Sequence, residues 1–366
     1  MSIKAIVFSL FVIWGTSAHA AKFKFENVDG LTLDFWGFAQ LTAESFDRKD
    51  IPSDTDLGDR DGLEFDSDRV RFGTKLKWGK WFGNFHFDAN NTTAGRRTGG
   101  LASFIRDANG GYKFSNAASV RIGQFKTPLG MAFNMSGKKL PLPKRTLTDR
   151  LVFDRTLGTM VSGRGIGGSD KKSGFGYDLF YGNPVGRAGT ASQTSNQVGD
   201  DHTWVGRISY DMAKLFHVEA SIGEVENAGG QNTEDLETWD VGIKGKIGKP
   251  FTYRAEYVSV DNVRGVDDDE ESAWFIEGSY AFTKMIEGVV RYQQADFEPD
   301  SGNDTDISIF DIGVNVYLGQ NKTNGRIQVS YQSVGGDEEE YTGRATTGGF
   351  SDHRWDALLG QLQVSY

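Results

Sequence analysis

From Leu31 onward the chain repeats with a period of two, and this constrains its fold more than any other feature. Phe251, Tyr253, Ala255 and Tyr257 alternate with Thr252, Arg254 and Glu256. Trp239, Val241 and Ile243 alternate with Asp240 and Lys244, and Leu362, Val364 and Tyr366 with Gln361, Gln363 and Ser365. A β-strand turns successive side chains to opposite faces, so these runs predict amphipathic strands. Sixteen runs are expected, at 31–46, 64–78, 81–90, 102–114, 118–125, 158–166, 173–182, 202–211, 215–226, 236–247, 251–260, 272–283, 286–297, 307–318, 326–334 and 354–366. The fourth is irregular, because Arg106 falls on its apolar parity unless a bulge intervenes. All seven prolines lie outside the runs, as an obligatory hydrogen-bonded ladder requires.

Short gaps such as Gly79-Lys80, Met212-Ala213-Lys214 and Lys284-Met285 alternate with long polar ones at 47–63, 183–201 and 335–353. A transmembrane barrel has that rhythm, with turns on the periplasmic side and loops outside. Apolar parities are rich in Phe, Tyr, Trp and Gly, whereas Arg69, Arg71, Lys75, Glu219, Lys244, Arg254, Glu256, Glu287 and Arg291 share the other face. That polarity is inside-out for a soluble barrel, which would need an apolar filling that the inward faces are not expected to supply. In lipid the apolar face turns outward and the closed ladder satisfies every backbone group. Sixteen strands leave a water channel where eight would fill their interior. The expected fold is all-β: a sixteen-stranded antiparallel transmembrane barrel.

Composition narrows the function. The net charge is −10, which argues against nucleic acid as a partner. Cysteine is absent, so thiol catalysis and Cys-based zinc sites are excluded. Residues 1–20 read as a secretory signal: Lys4, an apolar stretch from Ala5 to Trp14, and Ala18-His19-Ala20 as the cleavage site. The exported domain is then 21–366, in the outer membrane of a Gram-negative bacterium. Asp54-x-Asp56 and Asp59-x-Asp61-Gly62 lack the spacing and closing Glu of a calcium loop. Gly163-x-Gly165-x-x-Gly168 opens no helix, so its match to a dinucleotide fingerprint carries no weight. No metal, cofactor or catalytic residue is expected. A lipid-cleaving barrel would need a Ser–His pair on its outer face, and no His has that parity.

Arg121 to Gly130, R-I-G-Q-F-K-T-P-L-G, resembles the strand-into-loop signature of the phosphate-selective porin O and P family. Arg69 to Gly73 (R-V-R-F-G) and Arg155 to Gly163 (R-x-L-G-x-M-x-S-G) resemble it more weakly. The resemblance implies a sixteen-stranded outer-membrane porin, usually a homotrimer, whose third loop folds inward to constrict the pore. The outer loops depart from the electropositive funnel of a phosphate channel.

The third long gap fits such a constriction. Between Lys126 and Arg155 it holds seven basic residues (Lys126, Lys138, Lys139, Lys144, Arg145, Arg150, Arg155) against Asp149 and Asp154. Three prolines stiffen it. The plainer alternative is a solvated loop touching lipopolysaccharide phosphates. Arg69, Arg71, Lys75 and Lys77 share one parity of the second run, and Arg121, Arg207, Arg254, Arg291 and Arg326 are inward on theirs. Such cations replace the hydration of a passing anion, or they pair with the inward acids Asp88, Asp178, Glu219, Asp240, Glu256 and Glu287 and brace the wall. The expected anion pathway comprises Arg69, Arg71, Lys75, Arg121, Lys126, Lys138, Lys139, Lys144 and Arg145. Its permeants would be phosphate or small organic anions diffusing passively; a non-selective porin or a closed structural or adhesin barrel are the rivals. Acidic runs at Asp267–Glu271, 296–306 and 337–340 read as solvated outer loops or cation bridges to lipopolysaccharide.

Overall fold

A computed structural model describes residues 22–24, 30–48, 60–89, 104–168, 173–184, 201–213, 215–226, 234–319, 322–336 and 355–365. The signal residues 1–20, Tyr366 and the acids 337–340 lie outside the described residues. The strands are β1 (Lys22–Lys24), β2 (Leu31–Arg48), β3 (Arg60–Trp78), β4 (Trp81–Asp88), β5 (Ile105–Lys113), β6 (Ser119–Lys126) and β7 (Arg155–Ile166). They continue with β8 (Gly174–Gly182), β9 (Thr203–Met212), β10 (Phe216–Val225), β11 (Leu236–Ile247) and β12 (Phe251–Asp261). The last five are β13 (Glu270–Ala281), β14 (Ile286–Glu298), β15 (Thr305–Tyr317), β16 (Gly325–Gly336) and β17 (Trp355–Ser365).

Each of β2–β17 pairs antiparallel with its sequence neighbours, and β17 returns to β2 from Trp355↔Arg48 to Ser365↔Phe38. Sixteen strands therefore form a closed barrel with no free edge, as the sixteen runs predict. The short β1 pairs with Thr32–Asp34 of β2, just past the end of β17, and prolongs that seam.

The alternation holds strand by strand. In β15, Phe310, Ile312 and Val314 are exposed on the outside while Ile309, Asp311 and Asn315 are buried within. Ile208, Ile222, Ile276, Val329 and Leu362 extend the same outer belt. In water each such side chain would forgo about 1.5–3 kcal/mol of burial; against lipid it forgoes nothing. Among the described residues no helix is long and apolar enough to cross a membrane.

Arg106 resolves as the bulge reading requires. Register slips between His86↔Asp107 and Phe87↔Ile105, leaving Arg106 as the extra residue. The bulge turns it inward, 3.9 Å from Asp88.

One expectation is corrected. The interior does contain an apolar filling: Val258, Val260, Ala273, Ala295, Ile307 and Ile309 sit on the inward parity and are fully buried. What they receive is the segment between β6 and β7, whose Leu129, Leu147, Leu151, Val152 and Phe153 pack among them. The charged positions on the same strands masked this signal, because polar and apolar stretches share one inward face.

Candidate permeation pathway

The segment 127–154 is the third long connection of the barrel, and its hydrogen bonds trace its course. Gly130 N–H donates to Asp240 Oδ1 of β11 (3.1 Å), and Ala132 N–H, in the one-turn helix α1 (Met131–Asn134), donates to Glu256 Oε1 of β12 (3.1 Å). Farther on, the Gly137 carbonyl accepts from Gln40 Nε2 of β2 (3.2 Å) and that of Lys138 from Gln363 Nε2 of β17 (3.3 Å). The outgoing leg therefore crosses the lumen from β12 to β2.

The return leg follows the wall. The Leu140 carbonyl accepts from Arg326 Nη1 of β16 (2.8 Å), Pro141 from Asn315 Nδ2 of β15 (2.9 Å), and Lys144 from Arg291 Nη1 of β14 (3.2 Å). Leu147 N–H then reaches Gln293 Oε1 (2.9 Å), and Thr148 Oγ1 reaches Glu256 Oε2 (2.8 Å). Glu256 thus ties both legs with one carboxylate. The backbone of a segment with no ladder of its own is satisfied by inward side chains from β11 to β2.

This excursion fills the β11–β17 half of the lumen and leaves the β2–β9 half open. A cavity of about 1010 Å³ occupies the open half. Ten Lys and Arg side chains line it against three carboxylates, those of Asp34, Asp107 and Asp178. Of the expected pathway residues, Arg71, Lys75, Arg121, Lys126, Lys138 and Arg145 line this cavity. Arg69, Lys139 and Lys144 do not. Arg69 Nη1 donates to Gln40 Oε1 (2.8 Å) and packs on Gly137, Lys144 Nζ pairs with Glu44 of β2 (2.9 Å), and Lys139 is exposed. Lys77, Arg155, Arg164 and Arg207 complete the ten. Arg164 was the one missed at the level of sequence, although it shares the parity of the inward Met160 and Ser162.

The lining cations divide by partner. Arg71 pairs with Asp88 (2.7 Å), Arg155 with Asp107 (2.7 Å), and both Arg164 (2.7 Å) and Arg207 (2.6 Å) with Asp178. Arg145 braces the connection itself through Asp149 and the Met135 carbonyl (3.1 Å), and Lys126 donates to the Phe133 carbonyl. Lys75, Lys77, Arg121 and Lys138 have no carboxylate partner among the described residues. Two of these four rest on rings: Lys138 Nζ lies 5.9 Å from the Trp36 ring, and the Arg121 guanidinium 5.6 Å from that of Phe82 and 5.2 Å from Phe125. Burial, with Lys75 and Lys139 nearby, holds the Lys138 ammonium below the ordinary lysine pKa.

Two glycines make room for those rings. A Cβ at Gly111 would meet the Phe82 ring at 2.4 Å, and one at Gly73 would meet Trp36 at 2.9 Å. Without side chains at these inward positions, Phe82 lies across β5 toward Arg121 and Trp36 across β3 onto His86, 4.8 Å between ring centres.

The opposite wall spends its cations differently. Arg254 pairs with Glu277 (2.7 Å) and Arg291 with Asp311 (2.9 Å), each directly across the ladder. These partners are not the inward acids expected from sequence. Asp240 and Glu256 hold the inserted segment instead, and Glu287 accepts from the Tyr317 hydroxyl (2.8 Å) and Lys322 (2.6 Å).

Comparison with known proteins places this geometry. The model of the family described as Gram-negative porin matches residues 9–333. No curated protein matches the chain. Among solved structures, the fold resembles an anion-selective porin from Comamonas acidovorans (12% identity, TM-score 0.64, covering 92% of this chain and 100% of that one). It also resembles the outer membrane channel DcaP of Acinetobacter baumannii (14%, 0.63, 94% and 99%). A third is OmpT, an outer membrane protein of Vibrio cholerae, in a trimer form (14%, 0.58, 92% and 100%).

Proposed function

The chain belongs to the Gram-negative porin family, barrels of the outer membrane, and from that premise we propose that it conducts small hydrophilic anions by passive diffusion along the β2–β9 side of the lumen. The observation that carries this reading is the ten-to-three excess of cationic over carboxylate side chains around the cavity. Lys75, Lys77, Arg121 and Lys138 form no ion pair among the described residues and supply the least compensated charge. Fixed donors of this kind substitute for the water an anion sheds at a narrow point, and a narrow low-dielectric neck screens them less than a surface would.

The acidic outer segments do not cancel this field. Asp267–Glu271 lie at the long-loop end of β12 and β13, whereas Lys77 stands beside the short turn of β3 and β4. A strand of about eleven residues spans ~35 Å at ~3.3 Å per residue, several times the ~8 Å Debye length at physiological salt. These acids lower the local anion concentration at the mouth and leave the sign of selection to the lane.

Phosphate and small organic anions are the candidate permeants, and the three motifs around Arg69, Arg121 and Arg155 support kinship with the phosphate-selective O and P branch. A homotrimer is the proposed assembly, supported by the trimer form of the Vibrio cholerae relative in fold. The test is the reversal potential of single channels in a KCl gradient. A potential displaced toward the chloride equilibrium value is expected. A value near zero would make the protein a general porin, one displaced toward potassium would overturn the anion path, and no conductance at all would favour a closed barrel.

A further inference from the structure

The four cations that form no ion pair among the described residues are not spread over bare polar wall; two are seated on aromatic rings. Lys77, Phe82, Gly111 and Arg121 are successive cross-strand partners on β3 to β6 and form one level of the lane. Because Gly111 has no side chain, the Phe82 ring lies across the level to the Arg121 guanidinium. Phe125, buried against Phe180, covers the guanidinium from another side. Ring contact uses the faces of a guanidinium and leaves its in-plane N–H groups for an acceptor. Those groups have no hydrogen-bond partner among the described residues, and Nε is fully enclosed without one.

Higher in the lane the pattern recurs. Trp36 stands four residues along β2 from Thr32, the partner of Lys77, ~13 Å away at ~3.3 Å per residue. There Lys138 lies over its ring. An inorganic anion gains nothing from an aromatic wall and loses hydration beside it. A carboxylate with a flat apolar body gains on both counts, from the guanidinium edge and from the ring.

We infer that Arg121, with Phe82, forms a binding station for a carboxylate that carries a planar apolar body, so that the lane favours aromatic monocarboxylates over inorganic phosphate. This rests on the anion-conducting reading above and narrows it to a substrate class. The carboxylate accepts from the guanidinium edge, and the body of the permeant lies against Phe82. The level of Trp36 and Lys138 gives the same combination one step along the path. Diffusion through the site needs only weak occupancy at each station.

The test uses benzoate, acetate and inorganic phosphate as blockers of chloride current through single channels of the purified full-length barrel. Benzoate is expected to reduce chloride current at concentrations at least tenfold below those required of acetate or phosphate. Arg121→Gln should weaken the benzoate block at least tenfold while Arg121→Lys keeps part of it, and Phe82→Leu should weaken benzoate but not acetate. Heat-modifiable migration on gels shows which variants fold, and the ratio of benzoate to acetate in the wild type tests the inference even if none does. Equal block by benzoate and acetate, stronger block by phosphate, or benzoate block unchanged in a folded Arg121→Gln channel would each overturn it. Chloride preference in a KCl gradient together with equal block would leave the anion path standing and remove only this station; potassium preference would remove both.

Discussion

Arg121 and Arg254 are both inward arginines on barrel strands, yet the two halves of the lumen use them in opposite ways. On the β11–β17 side Arg254 faces Glu277 across the ladder, Arg291 faces Asp311, and Arg326 holds a carbonyl of the inserted segment. On the β2–β9 side Arg121, Lys75, Lys77 and Lys138 form no ion pair among the described residues and border open space. The difference lies in where the inserted segment rests. Where it packs, water is excluded, and a charge is kept only with a carboxylate or hydrogen-bond acceptors around it. Where it leaves space, the charge stays hydrated and acts on whatever passes. Stability and selectivity should therefore separate by side.

The largest expected effect is on the packed side. Arg254→Ala strands Glu277 beside the inserted segment, and breaking a buried pair costs about 3–5 kcal/mol. Denaturant unfolding in detergent should show that loss, while the sign of ion selectivity stays that of the wild type. If this variant changes selectivity and leaves stability intact, the division by side fails.

Next is Glu256→Ala, which releases Ala132 N–H and Thr148 Oγ1 together. A buried hydrogen bond contributes about 0.5–1.5 kcal/mol net, so with both lost the inserted segment should loosen. Larger and noisier single-channel conductance is the expected readout. Quiet openings of wild-type size would show that Glu256 does not anchor the segment.

Lys75→Gln with Lys77→Gln should do the reverse. Stability should stay within about 0.5 kcal/mol for each substitution, while the reversal potential in a KCl gradient moves toward zero. The smallest effect concerns pH. Burial and neighbouring cations keep the Lys138 pKa below 10.5, so Lys138 loses its proton before an ordinary lysine does as pH rises. Each lost charge weakens the lane, so anion preference should begin to fall below pH 10.5, and Lys138→Gln should flatten that part of the titration.

Much of this was legible in the sequence, and the reasons are local. The period of two, the positions of the prolines and the alternation of gap lengths are properties of the chain itself, and they carried the strand count, the closure and the inward parity of Arg71, Lys75 and Arg121. Even the Arg106 bulge announced itself as a parity error. What parity cannot give is the partner across the ladder. Arg254 and Glu277 become neighbours only through a register set by turns and by a sheet closed around the whole barrel. The placement of Lys144 is hidden for the same reason: Glu44 lies far away in sequence and meets it only after the third connection has crossed the lumen, whereas Arg69 meets Gln40 directly across the β2–β3 ladder. The apolar seat formed by Val258, Ala273 and Ile307 was visible as residues on the inward parity. It reads as a seat only once something is seen to sit there.

The most direct test of the central claim compares two variants in one KCl gradient. The first replaces Lys75, Lys77, Arg121 and Lys138 by Gln; the second replaces Lys139, Lys144 and Arg69, cations of the same neighbourhood that do not line the cavity. A chloride-selective wild type, loss of that preference in the first variant, and near wild-type selectivity in the second are expected. A potassium-selective wild type, or a chloride preference that survives the first variant and disappears in the second, would contradict that claim.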